Sequence, residues 1–211
     1  MQVSKGLVSK FFKENEILSV EKFYEYAKKL KIIVYIPEEH VEKVMAEMSK
    51  AGAGLIGNYE LCSFRTEGIG TFKPTEKANP YSGKKHTLSR VEEVKLEMEC
   101  DPGIVNAVLD ALIKHHPYEE IAYEIYEFMK RGKEEIGFTV NLKSAMKVSQ
   151  LFSKLNKKID AEEVRSDTTF KKIAITNSDV SQSILDSAKF TDCHYLISKS
   201  LSNKNYKLFK I

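Results

Sequence analysis

The chain has 211 residues, of which 42% are hydrophobic and 30% are charged. This mixture is typical of folded globular proteins and excludes a chain that is disordered throughout. The 33 basic and 30 acidic residues leave a net charge of +3, which is too small to indicate nucleic acid as a partner. The length allows one large core or two small ones.

The sequence predicts a cytoplasmic protein. No run of about 18 apolar residues occurs, so no membrane association is expected, and residues 1–10 contain no apolar stretch of signal-peptide length. The three cysteines form no CxxC motif, which is typical of reduced thiols: Cys62, Cys100 and Cys193. A group of lysines near the C-terminus is interpreted as a solubilising end: Lys199, Lys204, Lys207 and Lys210.

Residues 1–30 are predicted to be helical. Leu7, Phe11 and Phe12 share one apolar face. Phe23, Tyr26 and Ala27 recur at helical spacing. A β-prone run then extends over residues 32–36 and stops at a proline, as expected for a buried strand.

Residues 31–130 show the pattern of a complete small domain. One helix is predicted from the stripe Val41, Val44, Met45 and Met48, and a second from Val105, Val108, Leu109 and Leu112. Between them, the glycine-interrupted residues 55–72 predict a bent hairpin or an extended loop, and residues 93–100 alternate strictly between apolar and charged side chains. Residues 121–128 alternate as a last strand.

The resulting order is β-α-β-β-α-β, an α+β fold of the ferredoxin-like type with both helices on one face of an antiparallel sheet. The other face and the sheet edge would then lack cover, so we expect a homo-oligomer.

Residues 131–211 are predicted to form a partial α/β lobe. The charged segment at residues 130–135 is interpreted as the boundary between the lobes. Beyond it, apolar spacing predicts helices near residues 145–155 and 184–188, and short strands near 173–175 and 195–197.

Three segments of the sequence resemble the domain inserted in GTP cyclohydrolase 1 type 2 homologs, also called the NIF-three-like family. They read IVYIPEEHVEKV, AGAGLIGNYELCSFRTEGIGTFKP and HPYEEIAYEIYEF. The resemblance implies a fold similar to CutA and PII proteins and assembly as a trimer. Residues 136–198 resemble, more loosely, the beginning of that family's C-terminal lobe.

The resemblance does not extend to the ligands of the family's two-metal site. The family draws this site from a paired histidine and an aspartate of its N-terminal lobe and from a histidine and a glutamate near its C-terminus. Here that N-terminal lobe is reduced to residues 1–30, and the chain stops at Ile211. The Gly-rich turn of the family is replaced by residues 176–179, and its acid and histidine by Ser198, Lys199 and Ser200. Neither half of the metal site is therefore expected in this chain.

The HPYEE turn is nevertheless a candidate metal site. His116, Glu119 and Glu120 could supply nitrogen and oxygen ligands to a divalent ion across the turn. The alternative is that His116 caps the preceding helix through its ring.

The segment TEGIGTFKP is a candidate ligand loop. Gly68 and Gly70 could let backbone amides approach an anion, with Glu67 and Lys73 beside it. The alternative is that the glycines form a β-bulge in a bent hairpin. Cys62 is added to this site because Arg65 is near in sequence and could activate its thiol, although a buried structural cysteine is more common.

These observations predict a trimeric sensing or scaffolding protein without enzymatic activity. Its ligand would be a small molecule or a divalent metal bound in clefts between subunits. The alternative is a metal-dependent hydrolase of the GTP cyclohydrolase 1 type 2 kind, which would use a metal to generate a nucleophilic water.

Overall fold

The computed structural model describes residues 5–154, 159–161, 167–199 and 206–211. These residues form two compact units. We call Lys28–Met129 the central unit, and Met1–Ala27 together with Lys130–Ile211 the terminal unit. The division falls within two long strands, β1 (Ile17–Ile36) and β4 (Tyr123–Lys147).

The remaining elements follow in chain order. The central unit contains α1 (Glu38–Lys50), β2 (Ser63–Phe72), β3 (Ser89–Cys100) and α2 (Val105–His115), with a short 3-10 helix at Pro102–Ile104. The terminal unit contains 3-10 helices at Lys5–Lys10 and Glu14–Glu16, then α3 (Val148–Lys154), β5 (Ile159–Ala161), β6 (Thr169–Thr176), α4 (Gln182–Phe190), β7 (Tyr195–Lys199) and β8 (Tyr206–Lys210). No helix in these described segments is both long and apolar enough to span a membrane.

The central unit has the predicted ferredoxin-like fold. Its strands lie in the order β2-β3-β1-β4, and β3 pairs antiparallel with both of its neighbours. The predicted apolar stripes of α1 and α2 pack on alternate residues of β1 and β3 in one buried cluster. This arrangement confirms the β-α-β-β-α-β order and leaves the other face of the sheet without helices.

In the central unit, β2 is more regular than predicted. Its pairing with β3 runs without a register shift from Ser63↔Met98 to Phe72↔Ser89. The prediction of a loop or β-bulge at Gly68 and Gly70 is therefore wrong, because both glycines lie inside an uninterrupted ladder.

The terminal unit is an α/β layer whose strands lie in the order β4-β6-β7-β8-β5. β6 and β7 are parallel, and α4 connects them. Ile173 and Ile175 belong to one apolar cluster and Ala174 to another, because successive residues of a strand point to opposite faces. Phe11 and Phe12 join the first cluster, and Phe23 joins the second.

The helical prediction for residues 17–30 is wrong, because these residues belong to β1. The aromatic residues that suggested helical spacing are also strong strand formers, and pairing with a distant strand decides between the two structures. In the terminal unit, Lys22 lies 3.2 Å from Glu135, and the guanidinium of Arg131 lies 4.4 Å from the ring centroid of Tyr24. The charged segment predicted as a joint is therefore part of β4 and supplies cross-strand partners to β1.

The predicted lysine-rich tail is only partly described. Lys199 ends β7, and Lys207 and Lys210 lie on β8. Lys204 and Ser200 lie outside the described residues.

Candidate functional site

A cleft of about 520 Å³ lies in the central unit, where the uncovered face of the sheet meets the loop after β2 and the segment before β4. Four aromatic side chains line it: Tyr35, Phe72, Tyr81 and Tyr118. Its charged lining residues are Lys73, Glu93, Glu119 and Glu120, and its apolar walls include Pro74, Ala78, Pro80 and Ala122. A volume of this size is typical of small-molecule sites in proteins.

His116 fixes one wall of the cleft. It is 7% exposed, its Nε2 lies 3.0 Å from the Tyr35 carbonyl oxygen, and its Nδ1 accepts a hydrogen bond of 3.1 Å from the Tyr118 backbone N–H. A carbonyl can only accept and a backbone N–H can only donate, so the ring must be the neutral tautomer with its proton on Nε2. Burial lowers the pKa of His116, which favours the same neutral state.

Tyr118 connects this wall to a carboxylate. Its ring packs edge-on against His116 with centroids 5.0 Å apart, and its hydroxyl donates a 2.8 Å hydrogen bond to Glu93 Oε1. Burial, followed by the hydrogen bond to Glu93, raises the pKa of Tyr118, so the phenol stays protonated and keeps donating.

Gly70 provides the space that the Glu93 carboxylate occupies. A Cβ atom added to Gly70 would overlap Glu93 Oε2. Gly68 lies directly opposite Glu93 on the neighbouring strand. The glycine pair therefore leaves this part of the strand surface free of side chains. The Glu93 carboxylate occupies the space over Gly70.

The loop after β2 is held over the cleft by polar contacts within the central unit. The Asn79 backbone N–H donates to Glu119 Oε1 at 2.8 Å. The Tyr81 hydroxyl lies 3.0 Å from His40 Nε2 and 3.3 Å from Glu39 Oε1, and its ring lies 5.8 Å from that of Tyr118. The loop is thus anchored on both α1 and the HPYEE turn.

The geometry does not support the predicted metal site at His116, Glu119 and Glu120. Both ring nitrogens of His116 bond to backbone groups, and Glu119 is engaged by Asn79. In the part of the chain that the structure describes, no three His, Cys, Asp or Glu side chains are grouped so that they could hold a metal ion. The capping alternative also needs correction, because the ring bonds to β1 and the following turn rather than to the last carbonyls of α2.

The predicted ligand loop lines two adjoining hollows. Gly70 and Lys73 line the cleft, whereas Glu67 and Gly68 line a smaller hollow of about 330 Å³ beside Glu38, and Glu93 lines both. Cys62 precedes β2 and lies eight residues before Gly70, a separation of about 26 Å along an extended strand. It does not join the cleft.

Arg65 is occupied elsewhere. Its Nη1 lies 2.6 Å from Glu42 Oε1, on α1. Cys62 Sγ instead lies 3.6 Å from the carbonyl oxygen of Tyr59. The proposed activation of the thiol by Arg65 therefore has no support in these contacts.

Sequence reasoning missed the aromatic residues and Glu93. In the sequence, Glu93 belongs to the charged face of an alternating strand, and Tyr35 and Tyr118 stand in a strand and a turn. The available signal was the GxG spacing of Gly68 and Gly70, because glycines inside a strand often mark the close approach of another group.

Comparison with known proteins identifies relatives over most of this chain. It is 40% identical over 154 residues to the GTP cyclohydrolase 1 type 2 homolog of Bacillus subtilis, an alignment that covers 71% of this chain and 41% of that protein. The homolog of Halalkalibacterium halodurans is 37% identical over 154 residues with the same coverage. The chain thus spans about two fifths of the length of the curated relatives it matches.

Solved structures with similar chain traces include a Bacillus cereus protein related to NIF3 and a PII-like protein CutA from Nostoc. The first is 26% identical with a TM-score of 0.46 and covers 92% of this chain and 55% of its own. The second is 15% identical with a TM-score of 0.35 and covers 47% of this chain and 80% of its own. No family model matches the chain.

The resemblance predicted from the three sequence segments is therefore confirmed by the curated relatives. Over 71% of its length, the chain is a relative of the proteins named GTP cyclohydrolase 1 type 2 homolog.

Proposed function

We propose that this chain is a non-enzymatic sensing or scaffolding protein whose central unit binds a small molecule. The observation that carries the proposal is the cleft of about 520 Å³ with its four aromatic side chains. Internal hydrogen bonds through His116 and Glu119 hold its walls, so the cleft is formed before any ligand binds. Preorganisation of this kind lowers the entropic cost of binding.

The described lining of the cleft holds no imidazole and no thiol, the groups that make up a Cys–His pair. Among the described residues, two imidazoles contact lining residues: His40 Nε2 lies 3.0 Å from the Tyr81 hydroxyl, and His116 contacts Tyr35 and Tyr118. His116 uses both ring nitrogens in backbone hydrogen bonds and cannot act as a general base without losing one of them.

The proposed assembly is a homo-oligomer, with a trimer as the specific expectation from the resemblance. β2 lies at the edge of the sheet of the central unit, and it exposes 65% of Phe64 and 70% of Ile69. Exposed apolar side chains on an edge strand favour association with another chain. A second copy could also close the open side of the cleft, which would place the ligand between subunits.

The proposed location is the cytoplasm. Cys62, Cys100 and Cys193 are all free thiols in the structure, which agrees with a reducing compartment.

A thermal-shift screen with metabolites and divalent metals tests the binding proposal. At saturating concentration, a cleft ligand should raise Tm by about 5 °C or more. Tyr81→Ala removes one aromatic wall and should abolish the shift. Tyr59→Ala is the matched control, because Tyr59 is 74% exposed and does not line the cleft. If no compound stabilises the protein, or if hits stabilise Tyr81→Ala equally, the proposal fails.

Multi-angle light scattering tests the assembly independently. The proposal expects a mass of three chains or a multiple of three. A monomer at micromolar concentration would exclude it.

A further inference from the structure

We propose that the ligand of the cleft is a small organic cation, a protonated amine carried on an apolar body. This inference rests on the proposed function, because it names the chemical class of the ligand that the cleft of the central unit would bind.

The charge of the lining favours a cation. Three carboxylates line the cleft, those of Glu93, Glu119 and Glu120, against the single ammonium group of Lys73. An anionic ligand would therefore meet more repulsion than attraction on entering.

Glu93 is the group that would meet the positive charge. Its carboxylate accepts a hydrogen bond from the Tyr118 hydroxyl, and within the described segments no lysine, arginine or histidine nitrogen lies within 4.0 Å of it. It is partly buried, so water screens its charge less than on an open surface. An ammonium group placed here would gain a charge-assisted hydrogen bond without displacing a protein cation.

The surroundings of Glu93 suit the rest of such a ligand. Tyr118 and Tyr81 both line the cleft, with ring centroids 5.8 Å apart, and an aromatic ring attracts a cation that lies over its face. Phe72, Pro74 and Pro80 form apolar walls for a hydrocarbon body.

A hydroxyl at the cleft also lacks a partner. Ser82 lines the cleft, and its Oγ is buried without a hydrogen-bond partner among the described residues. A buried hydroxyl in this state carries a free-energy cost that a ligand N–H could remove by donating to it.

Isothermal titration calorimetry of the full chain near pH 7 tests the inference with three probes of similar shape. These are the 2-phenylethylammonium cation, neutral 2-phenylethanol and the phenylacetate anion. The cation should bind at least about tenfold more tightly than either of the others, because only it can form the charge-assisted hydrogen bond.

Two variants test the role assigned to Glu93. Glu93→Gln keeps an acceptor for Tyr118 but removes the charge, and it should weaken binding of the cation about tenfold without affecting the alcohol. Gly70→Ala should weaken it as well, because its Cβ would displace the carboxylate. Glu92→Gln is the control, since the adjacent residue on β3 points to the opposite face and does not line the cleft.

The outcomes separate this inference from the proposed function. Equal or tighter binding of the alcohol or the anion would overturn the cationic assignment and leave the cleft as a ligand site. Failure of the cation to bind, or loss of binding in Glu92→Gln but not in Glu93→Gln, would also overturn it. The broader thermal-shift screen decides whether the cleft binds a small molecule of another class.

Discussion

In the central unit, the two faces of the sheet carry different kinds of residue. On the face covered by α1 and α2, Ile32, Val34, Leu96 and Met98 are at most 1% exposed. The other face carries lysines, glutamates and tyrosines, including several that line the cleft. Because the side chains of a strand alternate, the covered face can stabilise the fold while the other face remains available for binding.

Two glutamates on the uncovered face differ in their partners. Glu97 lies 2.7 Å from Lys95 Nζ and 3.1 Å from Lys31 Nζ, and hydrogen bonds from Lys95 and Lys31 lower its pKa. Glu93, four residues earlier on the same face, has the neutral Tyr118 hydroxyl as its one side-chain hydrogen-bond partner in the described part of the chain. One carboxylate is neutralised within the sheet, and the other is available to a ligand.

The largest effect is expected on the covered face. Leu96→Ala should lower the free energy of unfolding by about 2–5 kcal/mol, because it leaves a cavity in a fully buried cluster. Urea denaturation measures it. Lys95→Ala, the neighbouring change on the uncovered face, is the control and should cost much less. Similar losses of unfolding free energy in both variants would contradict the assignment of stability to the covered face.

Substitution of His116, which holds one wall of the cleft, should have the next largest effect on the free energy of unfolding. His116→Ala removes the hydrogen bonds to Tyr35 and Tyr118 and should lower the free energy of unfolding by about 1–3 kcal/mol. His115→Ala is the matched control. The contact of His115 is an ion pair with Glu47, whose Oε2 lies 3.8 Å from His115 Nε2. Chemical denaturation of both variants measures the difference, and equal losses would contradict the structural role of His116.

The protonation of His116 makes the free energy of unfolding depend on pH, with lower stability at lower pH. Because burial lowers its pKa in the folded state, the unfolded state binds a proton more readily. The contribution of His116 to the free energy of unfolding is complete above the pKa of the unfolded state, near 6.5. It decreases as the pH falls below that value, by at most about 1.4 kcal/mol per pH unit. Unfolding free energies at pH 7.5 and 5.5 should therefore differ more in the wild type than in His116→Ala. The same difference in both proteins would exclude this linkage.

The smallest effect is expected at Glu97. Glu97→Gln should reduce the free energy of unfolding by about 1 kcal/mol or less, since ion pairs near a surface contribute little. The loss should shrink further at high salt, because counterions screen these pairs. Denaturation at low and at high salt measures the change. A loss that matches that of Leu96→Ala would show that the uncovered face also holds the fold together.

The fold of the central unit could be predicted because its signals are local. The stripe of α1 and the alternation of β3 each appear within a dozen residues. The first half of β1 could not be predicted in this way, because its aromatic spacing fits a helix and its strand conformation depends on pairing with residues more than one hundred positions away. The same limit applied to residues 130–135 of β4.

The cleft was only partly predictable, for a related physical reason. Gly70, Lys73, Glu119 and Glu120 stood out because glycines and charged turns are visible in sequence. The position of Glu93 against Gly70 depends on the register between β2 and β3, and that of Tyr81 against Tyr118 depends on how a long loop folds back. Neither can be read from spacing along one segment.

The central claim, that the cleft is the ligand site of this chain, is tested most directly by a crystal structure with the strongest compound from the thermal-shift screen. The account predicts electron density for that compound in the cleft, packed against Tyr81 and Tyr118 and in contact with the Glu93 carboxylate. A compound bound elsewhere on the protein, with the cleft empty at saturating concentration, would contradict it.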